Sequence, residues 1–306
     1  MTASAPTLET RPGQRKRRRA EAATAFTMLI PSFVGVGVFL VVPLFAVLAI
    51  SLTKWNLISD PQFVGLDNYS RLASDSQFWN SLGVTLKFSL MAIPLAIVVG
   101  LVIALGLNRR LPGSGLLQLF YVLPWIAAPL ALGIVWRWLL AGRGGLVNEL
   151  LGRNIAWMSD ERTALPTVAF VYVWQNVGYI SLFFLAGLQI IPESVKEAAR
   201  LDGAGPFRML WSIILPLLRP TMFFVTVTTL ISSFQVYDLV YGLTGGHPGY
   251  PGGTTDVITA RIYDAAFASP RIGDAAAMAV VLTIVIVAIT LLQRRWFSGR
   301  LTYEMD

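Results

Sequence analysis

Six long apolar stretches divide this sequence, and each is long enough to cross a lipid bilayer as a helix. They lie at 24–51, 88–106, 115–136, 165–189, 220–241 and 274–292. A membrane-spanning helix needs about 20 mostly apolar residues. Only 13% of the residues are charged, against about 25% in a typical soluble domain. The sequence therefore predicts an all-α integral membrane protein with six transmembrane helices.

Positive charge is unevenly shared among the segments that join these stretches. Fifteen of the 24 Lys and Arg residues lie in four segments: 1–23, 107–114, 190–219 and 293–306. Lys and Arg concentrate on the cytoplasmic side of membrane proteins. We therefore expect a basic cytoplasmic tail at 1–23, a membrane domain at 24–297 and a second cytoplasmic tail at 298–306, with 190–219 on the cytoplasmic side.

Several functional classes are disfavoured by what the sequence contains. It has no cysteine and a single histidine, His247, so a Cys- or His-based metal site is not expected. It has no G-x-x-x-x-G-K-[ST] motif, and therefore no ATP site of its own is predicted. The basic run at 15–19 directly precedes an apolar stretch, which favours contact with anionic lipid over nucleic-acid binding. No catalytic residue is assigned, because Asp238 is the only carboxylate placed well inside an apolar stretch.

Prolines interrupt three of the apolar stretches. Their positions predict bends within the helices: Pro31, Pro43, Pro94, Pro124 and Pro129. Such bends are tolerated in membranes where neighbouring groups satisfy the freed backbone.

Polar side chains cluster in two of the apolar stretches. The residues are Tyr172, Gln175, Asn176 and Tyr179 in the fourth stretch, and Ser232, Ser233 and Gln235 in the fifth. A polar group at membrane depth is costly unless it faces a cavity or another helix. Residues three or four apart share a helix face. Interhelical hydrogen bonding explains any one of these residues equally well, but the two clusters together favour a path for a polar solute.

A short charged segment separates these two polar stretches. Its pattern predicts a helix from 192 to 202 that ends at a left-handed Gly203. A second helix is expected from Pro206, ended or kinked near Pro216. Small residues at Ala198 and Ala199 give the first helix a face that another surface can approach closely. An ordinary helical loop is the alternative that periodicity alone leaves open.

The segment "EAARLDGAGPFRMLWSIILPLLRP" (197–220) resembles the EAA loop of bacterial ABC importer permeases. The loops "FVGLDNYSRL" (63–72) and "VYGLTGGHPGYPGGTTD" (240–256) are similar to those of the carbohydrate-importer subfamily. The resemblance covers residues 24–297 and implies the type I ABC importer permease fold, with 190–219 as the coupling loop.

The resemblance also implies partners in a heteromeric complex. These are a second permease subunit, two copies of an ATPase subunit that bind ATP and Mg, and an external substrate-binding protein. No cofactor is implied for this chain. The motif positions expected to couple to the ATPase are Glu197, Ala198, Ala199, Asp202 and Gly203, with Glu197 meeting a basic residue. The substrate contacts of the maltose-type relative fall near the two polar clusters.

Within that subfamily, "YVLPWIAAPLALGIVWRW" (121–138) and "RPTMFFV" (219–225) resemble the first permease subunit of glycerol-3-phosphate or glycerophosphodiester importers. That similarity predicts transport of a solute such as glycerophosphocholine. Maltose- or trehalose-type permeases share the framework, so a sugar is the alternative. Neither polar cluster contains Lys or Arg, so a phosphate must meet neutral donors, the partner permease or Arg137. A membrane-embedded enzyme and a self-sufficient channel or secondary transporter are remote alternatives.

Overall fold

The computed structural model describes residues 12–109 and 113–298. Parts of the two predicted tails therefore lie outside the described residues, as do the basic residues Arg11, Arg110 and Arg300. The described N-terminal helix begins at Pro12, within the predicted tail, and runs without interruption into the first apolar stretch.

Helices form most of the described chain. The α-helices are α1 (Pro12–Val36), α2 (Val42–Ile50), α3 (Asp67–Ser74), α4 (Ser76–Leu107), α5 (Ser114–Ile126), α6 (Pro129–Leu139), α7 (Leu146–Leu151), α8 (Ala164–Ile190), α9 (Glu193–Leu201), α10 (Pro206–Met209), α11 (Leu215–Leu217), α12 (Arg219–Phe234), α13 (Asp238–Thr244), α14 (Ile258–Tyr263) and α15 (Ile272–Ser298). Three π-helical turns occur at Gly37–Val41, Leu210–Ile214 and Asp264–Ala268. Two short strands, β1 (Thr53–Lys54) and β2 (Gln62–Phe63), pair antiparallel.

Four helical segments of the described chain are continuous, long and apolar enough to cross a membrane. They are Phe26–Ile50, Ser76–Leu107, Ala164–Ile190 and Ile272–Phe297. The third predicted span is instead broken, because helices α5 and α6 meet at 100°. The segment Pro206–Leu217, which precedes the fifth predicted span, meets α12 at 70°. Six crossings result if each bent pair is one span, which agrees with the predicted number.

The break in the third span corrects the prediction for one proline. Pro129 does not bend a helix from within but occupies the first turn of α6. The residue before a proline is disfavoured in the helical conformation, and Ala128 is extended, with ψ of 125°. By contrast, Pro31, Pro94 and Pro124 lie inside α1, α4 and α5.

The fifth span ends earlier than predicted. Helix α12 stops at Phe234, and a separate helix, α13, begins at Asp238. The expectation of one helix over 220–241 is therefore wrong at its outer end, and Asp238 is an exposed residue at a helix start. Helix α13 packs against α6 at two glycines, where a Cβ on Gly133 would lie 2.9 Å from the Gly242 Cα.

Helix α8 forms the centre of the fold. It packs against α4, α5 and α12, and two of its side chains, Phe184 and Leu188, are completely buried. The first span differs sharply, because the most apolar part of Phe26–Ile50 buries no residue within the chain. The polar residues that the sequence places on α8 therefore lie on the most extensively buried of the four continuous spans.

Candidate functional site

A cavity of about 170 Å³ lies between α5, α8 and α12. Four of the predicted path residues line it: Tyr172, Asn176, Tyr179 and Ser232. The remaining lining residues are Trp125, Ile180, Thr228 and Thr229. The two polar clusters, 53 or more residues apart in sequence, thus meet around one cavity, as their shared helix faces predicted.

Aromatic rings form one wall of this cavity. The Trp125 and Tyr179 rings stack with centroids 4.4 Å apart and planes 11° apart. Tyr172 packs edge-on against Phe88 at 5.2 Å, which fixes its ring against α4. The close approach of α5 and α8 depends on Gly178, because a Cβ there would lie 1.8 Å from the Tyr121 carbonyl oxygen.

The polar lining of the cavity consists of neutral groups. The Asn176 side-chain amide donates to the Tyr172 carbonyl at 2.8 Å, which holds the side chain against its own helix. The Thr228 hydroxyl donates to the Phe224 carbonyl at 3.0 Å. The amide oxygen and the hydroxyl oxygens retain acceptor capacity. No charged side chain of residues 12–109 or 113–298 lines the cavity, so it is suited to hydroxyl groups and to apolar faces that stack on aromatic rings.

Three predicted path residues do not line the cavity. Gln175 is buried elsewhere on α8, since adjacent residues point about 100° apart around a helix. Ser233 is buried and donates to the Ser89 hydroxyl at 2.9 Å, which is the interhelical bond that the sequence left open as an alternative. Gln235 is exposed, just beyond the end of α12.

Sequence reasoning missed the contribution of α5. Trp125 lies in a stretch with few polar neighbours, and only the break after Ile126 and the approach at Gly178 bring it to the cavity. Arg137, considered above for a phosphate, does not line the cavity. Its guanidinium lies over Gly245, where a Cβ would meet it at 1.9 Å.

The charged segment forms a short rigid helix, as predicted. Helix α9 spans Glu193–Leu201. Gly203 has φ of 76°, the left-handed conformation expected of it. The helix end is closed by two bonds, from the Gly203 N–H to the Arg200 carbonyl (3.1 Å) and from the Ala204 N–H to the Ala199 carbonyl (2.9 Å), the pattern of a Schellman motif. The second helix bends at Leu218, two residues after Pro216, near which an end or a kink was expected.

The exposed face of α9 differs in one residue from the expected docking face. Ala199 is only 7% exposed and packs within the chain, so its side chain is not available to another surface. Glu197, Ala198 and Asp202 are exposed. Leu201 is 89% exposed and extends that face.

Ion pairs organise the flank of α9. Glu193 accepts from Lys196 at 3.0 Å and from Arg200 at 3.3 Å. The hydrogen bond from Lys196, together with the positive charges of Lys196 and Arg200, lowers the pKa of Glu193 below its ordinary value. Glu197 makes no ion pair with any residue that the structure describes, so its carboxylate remains open to a basic partner.

Comparison with known proteins identifies the kind of protein to which this arrangement belongs. Residues 92–303 match the model of the family described as binding-protein-dependent transport system inner membrane component. A permease protein of the sn-glycerol-3-phosphate transport system, UgpA of Agrobacterium fabrum, is 34% identical over 79% of this chain and 83% of its own length. A permease protein of the trehalose/maltose transport system, MalF of Thermococcus litoralis, is 35% identical over the same shares of the two chains.

A solved structure confirms the fold. A chain of a bacterial alginate ABC transporter, in complex with a pentasaccharide-bound periplasmic protein, superposes with a TM-score of 0.78. The match covers 91% of this chain and 95% of that chain at 21% sequence identity. The family match, the two relatives and the shared fold agree with the permease architecture that the sequence predicted. This chain belongs to the family of inner membrane components of binding-protein-dependent transport systems.

Proposed function

We propose that this chain forms half of the translocation pore of an ATP-driven importer in the bacterial cell membrane, with both termini in the cytoplasm. The observation that carries the proposal is the neutral polar cavity between α5, α8 and α12. It lies in a permease-family chain, at the helices that flank the loop bearing α9. A polar solute that leaves an external binding protein would meet these side chains during passage.

The size of the cavity supports a heterodimeric pore. Pockets that enclose small-molecule ligands typically measure about 300–1,000 Å³, whereas this cavity measures about 170 Å³. One chain therefore offers only part of a solute-sized site. A second permease subunit that presents its own helices would supply the opposite wall.

Glycerol-3-phosphate or a glycerophosphodiester, such as glycerophosphocholine, is the first candidate solute. The resemblance of the sequence and the name of the A. fabrum relative support it. The glycerol hydroxyls match the Asn176, Thr228 and Ser232 side chains. Because no cationic side chain in the described part of the chain lines the cavity, the phosphate would be held by neutral donors or by the partner permease.

A sugar such as maltose or trehalose is the second candidate, and a specific observation favours it. The cavity combines hydroxyl groups with the exposed edge of the Trp125–Tyr179 stack. Sugar rings present hydroxyls at their rims and apolar C–H faces that pack on aromatic rings. The name of the T. litoralis relative points to the same class.

Calorimetry on the cognate external binding protein separates these candidates. We expect glycerophosphocholine or glycerol-3-phosphate to bind with measurable heat, and maltose and trehalose to give none. Binding of a disaccharide alone would replace the first candidate with the second. Binding of neither class would remove both.

Cysteine accessibility tests the cavity directly, because the chain contains no native cysteine. In the assembled complex, Asn176→Cys and Thr228→Cys should react with a small water-soluble thiol reagent, and the transported solute should slow the reaction. Gln175→Cys is the matched control, since Gln175 is adjacent to Asn176 but does not line the cavity. Equal reactivity of Asn176→Cys and Gln175→Cys would contradict a solute path along this face.

Helix α9 is proposed as the element that couples the pore to the ATPase subunits, which would bind ATP and Mg. Its support is the exposed face around Glu197 and Ala198, and the closed helix end at Gly203. Only Ile191 and Pro192 separate α9 from α8. A displacement of α9 would therefore be passed to the helix that carries four of the cavity residues.

Substitution at the helix end tests this coupling role. Gly203→Pro cannot adopt a φ of 76°, so it should disrupt the end of α9 and lower solute-stimulated ATP hydrolysis by the assembled complex. Gly205→Ala is the control, because Gly205 has an ordinary φ of −67° and open space at its Cβ. Full solute-stimulated hydrolysis in assembled Gly203→Pro would refute the coupling role. Glu197→Gln should weaken ATPase docking without affecting membrane insertion.

A further inference from the structure

A second cavity, of about 410 Å³, lies where the loop that carries α9 rejoins the helix bundle. It is bounded by the segment before the bend, the first turn of α12 and the end of α15. Its lining residues are Trp211, Leu215, Pro216, Arg219, Met222, Trp296 and Phe297. This cavity shares no residue with the cavity that holds Asn176 and Tyr179.

Large aromatic side chains are exposed around its mouth. Trp211 is 58% exposed and Trp296 is 79% exposed. Phe207, which is 75% exposed, lies next to Trp211 with ring centroids 5.9 Å apart. Trp residues are enriched where a membrane protein meets the lipid headgroups, because the indole has an apolar body and a polar N–H. The cavity therefore opens at the level of the membrane interface.

Among the residues that the structure describes, Arg219 is the only charged one that lines this cavity. It is half-buried, and it forms no ion pair or side-chain hydrogen bond with any described residue. The other lining residues provide no carboxylate. A guanidinium that is partly removed from water and has no counter-charge is costly unless an anion is supplied from outside the chain. The cavity thus has one cationic side chain, Arg219, in a wall that is otherwise apolar and aromatic.

We propose that this cavity binds an anionic phospholipid of the cytoplasmic leaflet. The lipid phosphate would accept hydrogen bonds from Arg219, and the first acyl carbons would pack against Leu215, Met222 and Phe297. Basic pockets between transmembrane helices on the cytoplasmic side suit anionic headgroups. A free phosphate would use the guanidinium but leave the apolar wall uncovered, so the lining favours a molecule with one anionic group and an apolar tail.

The cavity lies at a bend in the chain, so a lipid bound there would affect the angle of that bend. Trp211, Leu215 and Pro216 precede the 70° bend, whereas Arg219 and Met222 follow it. A lipid that contacts both sides would hold the angle between α12 and the segment that leads back to α9. The proposal depends on the chain being a membrane protein of this family, and not on which solute it transports.

Native mass spectrometry of the purified full-length chain tests the proposal with two lipids, phosphatidylglycerol and phosphatidylcholine. We expect phosphatidylglycerol to bind about fivefold more tightly, because phosphatidylcholine carries the same phosphate but neutralises it with its trimethylammonium group, and one unbalanced charge near an arginine corresponds to about that factor. Arg219→Gln should remove this preference, because it should weaken the binding of phosphatidylglycerol more than that of phosphatidylcholine. Trp296→Ala should weaken the binding of both lipids.

Arg208→Gln is the matched control. Arg208 is an exposed arginine on α10 that does not line the cavity, and its replacement removes the same charge. A fluorescence melting curve establishes that each variant remains folded. Equal loss of phosphatidylglycerol binding in Arg208→Gln and Arg219→Gln would overturn the proposal in favour of non-specific attraction. Displacement of the lipid by millimolar glycerol-3-phosphate or inorganic phosphate would overturn it in favour of a free-anion site.

Discussion

The contact between α5 and α8 at Gly178 determines whether the proposed solute cavity exists, and Gly178→Ala is the smallest change that tests it. The new Cβ would lie 1.8 Å from the Tyr121 oxygen, 2.3 Å from the Tyr121 carbonyl carbon and 2.8 Å from the Val122 nitrogen. All three are backbone atoms, so no side-chain rotation can relieve the overlap. Helix α5 must move away from α8 by at least about 1.2 Å to reach a Cβ–oxygen distance of 3.0 Å.

The energetic cost follows from this overlap. Inserting a methyl group into a well-packed contact typically costs about 1–3 kcal/mol, and a backbone contact belongs at the upper end. Replacing a helical glycine by alanine returns about 1 kcal/mol through helix propensity. We expect a net loss of about 1–2 kcal/mol. The displacement also separates Trp125 from Tyr179, whose rings are 4.4 Å apart, so solute uptake should fall as well.

The assay compares Gly178→Ala with Gly106→Ala in the purified full-length chain and in the assembled importer. Gly106 is also a helical glycine, on α4, and a Cβ there has open space. The melting temperature of Gly178→Ala should fall by several degrees and its uptake should be reduced, while Gly106→Ala should match or exceed the parent. If the two variants have the same melting temperature and the same uptake, the contact does not hold the cavity together.

Two further outcomes are expected from smaller interactions. A double-mutant cycle on Ser233→Ala and Ser89→Ala should give a coupling of about 0.6 kcal/mol in unfolding measurements, the average for hydrogen bonds between membrane helices; a coupling near zero would exclude this bond as a stabilising contact. Because the pKa of Glu193 is lowered in the folded chain, its ion pairs stabilise α9 above the ordinary carboxylate pKa and are lost as the pH falls below about 4. A spin label at Ser194→Cys should become more mobile over that pH range, and the same label on Glu193→Gln should show no such transition.

The sequence was sufficient to predict the helices and the coupling loop because those signals are local. Apolar length and charge asymmetry depend only on composition along the chain. The left-handed conformation of Gly203 could be predicted because glycine commonly adopts it directly after the end of a helix. The face formed by Tyr172, Asn176 and Tyr179 follows from helical spacing. Each of these features can be recognised without knowing which helices pack against each other.

The outer end of α12 and the full lining of the cavity could not be predicted, because they depend on contacts between distant segments. The sequence does not show that α12 ends at Phe234, since the packing of Gly133 against Gly242 places α13 beside α6. Trp125 and Gln175 show the same limit. Because Gln175 is polar and Trp125 is largely apolar, the sequence placed only Gln175 on the path. In the structure Trp125 lines the cavity and Gln175 does not.

Gly187 offers a test of how a movement of α9 would reach the cavity. It lies in the last turn of α8, where a Cβ would come within 2.5 Å of the Thr221 hydroxyl oxygen and 2.9 Å of Leu218 Cδ2, at the start of α12. The segment that carries α9 leaves from α8 and returns to α12, so this contact joins its two ends. Its nearest atoms belong to side chains, but Leu218 is completely buried and the Thr221 Cβ, 3.1 Å from the new Cβ, is fixed to the backbone. We therefore expect Gly187→Val to lower the melting temperature by a few degrees, and the assembled variant to show lower solute-stimulated ATP hydrolysis, because the wedge lets α8 and α12 move independently. Gly106→Val, which has open space at its Cβ, controls for valine in a helix. Unchanged hydrolysis in assembled Gly187→Val would show that this contact does not transmit the movement. Helix α9 would then act on the pore through α8 alone, to which it is joined directly by Ile191 and Pro192.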